Sequence, residues 1–311
     1  MVRGYARLAC GYFARCTMIS KKTLSAALCA TVISLCAMGQ HQAMAGFGEL
    51  SHAADIGLAK SIRNNPQPGQ LHQMMEVFGA HMAEMASITE PLRAICGQIS
   101  DQLAGNGPVD TAQLDALAEQ AFPLRAQADM LDLTRQIDLR LVTTPAQIAE
   151  AYDLNQHTVA LNARFNGVLS LPRYTTSVYL PSDLFGDNLG YTRGLNLTED
   201  QYSRMDNIRA GNAAALEAIQ QRRHAVRQQI AEQMGGAGAV TVAGLVPLQQ
   251  QESALKDQLD MLRLNMTIEI RALLTPEQLA RAADLHQQLS TLHAQETAAE
   301  RAAMDQARST N

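Results

Sequence analysis

Thioether and imidazole groups gather between residues 72 and 85: His72, Met74, Met75, His81, Met82 and Met85. Sulfur together with neutral imidazole is a donor set for a soft metal such as copper. The spacing argues against a site. His72 and His81 are nine residues apart, which puts them about 180° apart on one straight helix. His52, His157, His224, His286 and His293 are scattered, with no His-x-x-His and no Cys/His cluster. The favoured reading is therefore no metal, with His72 and His81 as the alternative ligand pair. The chain has no Gly-rich phosphate loop, no Gly-x-Ser-x-Gly and no His-Glu-x-x-His. Its carboxylates lie on helical stretches, where solvation is the default. The expectation is a protein that binds rather than catalyses, with no cofactor.

The elements that carry these residues are helical. The 311-residue chain has no Trp and few aromatics, and is rich in Ala, Leu, Gln and Met. That composition favours helices over strands. Arg3, Arg7, Arg15, Lys21 and Lys22 are the charged residues of 1–45. The rest keeps 20 basic against 30 acidic residues, a net of -10, the opposite of a nucleic-acid binder. Residues 1–45 read as a secretory signal. Lys21-Lys22 precede an apolar stretch, Leu24 to Met38, too short to span a bilayer comfortably. Ala43-Met44-Ala45 fits a small-x-small cleavage site. Met18 is a second candidate start. The expectation is a periplasmic protein with a cleaved signal and no stable membrane insertion. Cys10, Cys16, Cys29 and Cys36 fall within 1–45, leaving Cys96 alone. A buried thiol is favoured over an intermolecular bridge.

An internal repeat organises the chain. Asp129-Met130-Leu131 recurs as Asp260-Met261-Leu262, and Thr144-Pro145-Ala146-Gln147 as Thr275-Pro276-Glu277-Gln278, both 131 residues on. Residues 129–156 and 260–287 share 14 of 28 positions without a gap. Arg140 matches Arg271, Gly105 matches Gly236 and Gly107 matches Gly238 in the same register. Two units follow, 66–157 and 197–288. A helical lead-in (46–65), an aromatic-containing linker (158–196) and a C-terminal helix extension (289–311) flank them. Leu71, Met75, Phe78, Met82, Met85, Leu92, Ile99 and Leu103 keep the spacing of one amphipathic helix. Gly105-Asn106-Gly107-Pro108 breaks it, a second helix covers about 110–141, and Thr144 opens a third. The second unit repeats the order from Thr198, with breaks at 235–238 and near 274. Pro91 and Pro247 are expected to kink or break their helices. Pro172, Pro181 and several glycines argue against a long helix in the linker.

Three helix starts share one chemistry: Thr144 with Gln147, Thr198 with Gln201, and Thr275 with Gln278. Thr at the N-cap accepts from the first turn, while Gln three residues on reaches back to the cap's N–H. Leu197 and Leu274 precede two of these caps as staples, Leu197 with Tyr202 and Leu274 with Leu279. These residues are expected to build the fold. The pair Leu197-Thr198-Glu199-Asp200-Gln201 and Leu274-Thr275-Pro276-Glu277-Gln278 brackets a helical hairpin, and here the chain resembles the Spy/CpxP (LTxxQ-motif) family of periplasmic stress chaperones. In the first unit Thr143 stands for the Leu, and Pro66-Gln67-Pro68-Gly69-Gln70 keeps only the Gln. The resemblance implies an all-α fold of two tandem helical-hairpin units forming an elongated, cradle-like pseudo-dimer with coiled-coil character. It implies ATP-independent binding of unfolded or misfolded envelope proteins. The alternative it offers is a regulatory or metal-responsive binding protein of an envelope-stress system, acting on a sensor kinase or protease. Oligomeric state stays open.

The candidate client surface combines Met75, Phe78, Met82 and Met85 with Arg209, Arg223 and Arg227. Met is flexible and polarizable and suits varied apolar partners. Phe78, Leu92 and Cys96 of the first unit correspond to Arg209, Arg223 and Arg227 of the second, so one helical face is apolar in one copy and basic in the other.

Overall fold

The computed structural model describes residues 54–169 and 195–309. The proposed signal, residues 1–45, lies outside them, as does most of the aromatic stretch of the linker. The described residues form seven helices and no strand: α1 (Leu58–Asn64), α2 (Gln70–Ala104), α3 (Thr111–Leu141), α4 (Pro145–Leu169), α5 (Glu199–Gly235), α6 (Val242–Arg271) and α7 (Pro276–Ser309). The protein is all-α. A shift of 131 residues carries Ala104 onto Gly235, Thr111 onto Val242 and Pro145 onto Pro276, which are the observed ends and starts.

The ends follow local chemistry. Gly69 precedes α2 at φ 80°, a left-handed conformation that suits a residue without Cβ. Asp110 caps α3 by accepting from the Gln113 N–H at 3.0 Å, and Thr241 caps α6 by accepting from the Gly244 N–H at 3.2 Å. The helices run through Pro91 and Pro247, and through Pro123 in α3. Neither proline ends its helix, and burial holds the flanking turns: Leu92 and Cys96 beyond Pro91, Leu245 and Gln249 around Pro247. Helix α4 extends to Leu169, twelve residues past the sequence boundary at 157. That boundary came from the repeat register, whereas the first linker proline, the residue able to stop a helix, is Pro172.

Two antiparallel hairpins, α2/α3 and α5/α6, meet along α3 and α6. Leu92, Cys96, Ile99 and Leu103 of α2 pack on Leu114, Leu117, Ala118 and Ala121 of α3, with Leu264 of α6 closing the cluster. A second cluster joins Met205 of α5 to Ile270 of α6, with Leu197, Ile208 and Leu273 around it. Each third helix reaches across. Tyr152 of α4 covers Gly235 at the end of α5, where an added Cβ would come within 2.4 Å of the ring. At the equivalent crossing, His286 of α7 meets Asp101 of α2 at 3.0 Å.

The halves grip each other by exchanged contacts. Arg140, at the end of α3, donates to the carbonyls of Met234, Gly236 and Gly238 in the α5/α6 turn. Arg271, its repeat mate, donates to the carbonyls of Leu103, Gly105 and Gly107 in the α2/α3 turn. Every atom in one set has its partner 131 residues away in the other. This is the reciprocity of an isologous interface, here within one chain.

Candidate functional site

The three Thr–Gln boxes form as their spacing predicts. Gln147, Gln201 and Gln278 donate their backbone N–H to Thr144, Thr198 and Thr275 Oγ1 at 3.3, 3.2 and 3.3 Å. The Gln side chains accept the Thr N–H at 2.9, 3.0 and 2.9 Å. The glutamines then do more than cap. Gln70 and Gln147 exchange two amide hydrogen bonds, at 2.8 and 3.0 Å, and Gln201 and Gln278 do the same at 2.7 and 3.0 Å. Their remaining N–H groups tie down backbone carbonyls: Val142 by Gln70, Asn65 by Gln147, Leu273 by Gln201 and Leu195 by Gln278. Each pair locks the first helix of a half to its third. Leu197 packs into the Met205–Ile270 cluster, whereas Tyr202 is exposed. Leu274 is half-buried beside its cap.

A buried charged seam joins α3 to α6. Arg125 pairs with Asp260 and Asp257 and sits over the Phe122 ring. Ser253 donates to Asp129 at 3.1 Å. Arg125, Asp129, Glu252, Lys256 and Asp260 are all within 1% of complete burial. Burial pushes the Asp129 carboxyl up, opposed first by the Lys256 charge. Burial pulls the Lys256 ammonium down, opposed first by Asp129. In the repeat register Arg125 matches Lys256 and Asp129 matches Asp260, so the seam's centre is itself two-fold. The expectation that helix carboxylates are solvated fails here. The available signal was Asp129-Met130-Leu131 recurring as Asp260-Met261-Leu262, with a cation four residues before each Asp.

The apolar stripe of α2 divides along its length. Leu92, Ile99 and Leu103 are core, and Met74 is buried at 1% exposure. Leu71, Met75 and Met82 are open to solvent at 37, 37 and 49%, with Phe78 half-buried among them and Met85 half-buried just beyond. Two polar side chains of α3 meet this stretch: Arg135 lies over the Phe78 ring at 5.1 Å, and Asp138 meets His81 at 3.0 Å. The candidate arginines fare differently. Arg223 enters the hairpin and pairs with buried Glu252 at 2.8 Å, replacing the Leu92–Ala121 packing of the first half. Arg209 pairs with Asp206 at 2.7 Å, and Arg227 is half-buried. Of the three, Arg223 is the one paired across the hairpin.

His72 lies in solvent beside Glu76 at 3.3 Å, apart from His81. Among the described residues no three His, Cys, Asp or Glu side chains gather as a metal-holding group, and no helix is long and apolar enough to cross a membrane. Cys96 is a buried free thiol. Burial pushes it up to about 12, against the lowering charge of Arg125. Compared with protein-family models, curated proteins and solved structures, the chain finds no match in any of the three.

Proposed function

We propose that the protein is an ATP-independent holdase of the periplasm that binds unfolded or misfolded envelope proteins, and that its two halves stand to each other as the subunits of a Spy/CpxP-like dimer would. One observation carries this reading: the open apolar strip of Leu71, Met75 and Met82 on α2, with half-buried Phe78 among them and half-buried Met85 just beyond. Apolar side chains left open along a helix suit partners that offer apolar segments without fixed shape. Flexible Met side chains adapt to such segments at little steric cost. The signal-like residues 1–45 support export, and the Thr–Gln boxes support the family resemblance. The reciprocal Arg140 and Arg271 grips support the dimer-like pairing.

The test is aggregation of a chemically unfolded client with no nucleotide present. The protein should suppress light scattering at substoichiometric to equimolar ratios. Met75→Ser with Met82→Ser should remove most of the suppression while circular dichroism stays helical, because both side chains lie outside the core. Full activity in that folded double variant would contradict the reading.

A further inference from the structure

Among the described residues the methionines run from buried to open, with Met85, Met130 and Met261 half-buried. Met74, Met205, Met234 and Met266 are at most 1% exposed, whereas Met75 and Met82 are 37 and 49% exposed. The exposed pair lies on one face of α2, seven residues apart, about two helical turns. Leu71 lies one turn before Met75, and Phe78 lies between the two methionines. The thioethers therefore supply much of the strip's accessible apolar surface, and they are its most open oxidisable groups, Met85 being half-buried. Cys96 does not compete. It is buried, and its thiol is held protonated, so the reactive thiolate is scarce.

We propose that Met75 and Met82 are an oxidation site for small two-electron oxidants of the peroxide or hypohalous-acid class, and that their sulfoxides lower the strip's grip on unfolded chains. The second clause rests on the holdase reading. With hydrogen peroxide, a sulfur lone pair attacks one peroxide oxygen and the O–O bond breaks. The sulfur gains that oxygen and loses two electrons, and the displaced hydroxide takes up the remaining proton and leaves as water. The product is a polar sulfoxide where an apolar thioether stood. The fold should survive, because neither side chain holds the core and the buried methionines are shielded by packing.

The experiment treats the folded protein with graded hydrogen peroxide, maps sulfoxide by peptide mass spectrometry, and measures aggregation suppression on the same samples. Met75→Leu with Met82→Leu is the companion variant, since Leu keeps the volume and apolar character and cannot be oxidised. Met75 and Met82 should oxidise first, with Met74, Met205, Met234 and Met266 spared while the helical signal is intact. Suppression should weaken about tenfold in the oxidised wild type and hold in the Leu variant. Equal oxidation of buried and exposed methionines would overturn the site. Sulfoxide at both positions with undiminished suppression would overturn the effect on binding and leave the holdase reading standing. If untreated protein holds no client, that reading and the effect on binding fall together, and the mapping still decides the site.

Discussion

At the residue scale, the glutamines set the geometry of each half. Gln147 accepts the Thr144 N–H, donates to the Asn65 carbonyl and exchanges two bonds with Gln70, from a site only 3% exposed. Replacing it with Leu leaves the buried Gln70 amide without its partner. Gln147→Leu should cost roughly 2–3 kcal/mol in urea unfolding, against about 1 kcal/mol for Thr275→Ala at an exposed cap. Equal costs would mean that the amide pair adds nothing beyond capping. The cap was legible because Thr-x-x-Gln is a local pattern. The Gln–Gln pair was not, since its partners are 77 residues apart and Gln70 stands where the Thr is missing. Cys96 gives a second check. With its thiol pushed up to about 12, alkylation of the folded protein should stay slow from pH 7 to 10 and become fast only on unfolding. Rapid labelling of native protein at pH 8 would show the thiol to be accessible.

At the scale of elements, the α3–α6 seam is where sequence reading went furthest wrong. Asp and Lys on a helix are solvated by default, and periodicity cannot say which polar face another helix will cover. Lys256→Met should destabilise the fold by roughly 3–5 kcal/mol, because it leaves buried Asp129, Glu252 and Asp260 short of a cation. Adding Asp129→Leu should restore that loss, because it removes the buried carboxylate that Lys256 faces. The pH dependence follows from the two shifts. Asp129 is raised, so its contribution is fully present below its ordinary 3.8 and is lost as pH rises through its folded value. Lys256 is lowered, so its contribution is present above its ordinary 10.5 and is lost as pH falls through its folded value. Burying both groups is therefore least favourable between those folded values. The double variant should gain most over wild type there, as read by unfolding free energy against pH. A gain confined to either extreme would contradict the assignment.

At the scale of the molecule, the duplication was plain in the sequence, and Arg140, Arg271, Gly105 and Gly236 already stood in its register. What the register could not show is that each Arg serves the other half, because its partners are backbone carbonyls, which leave no side-chain signature. The division of the α2 stripe was hidden for a related reason: its apolar spacing is continuous, but its C-terminal part packs into an apolar cluster with α3, whereas Phe78 and His81 meet Arg135 and Asp138. The same comparison supplies the sharpest control on function. Position 82 on α2 corresponds to position 213 on α5, both exposed, with Met on one helix and Ala on the other. A photoreactive side chain placed at 82 or at 213, irradiated with a permanently unfolded client, reads directly which face holds the chain. The holdase account predicts strong client adducts from 82 and few from 213. Equal or stronger adducts from 213, with both proteins folded, would contradict it.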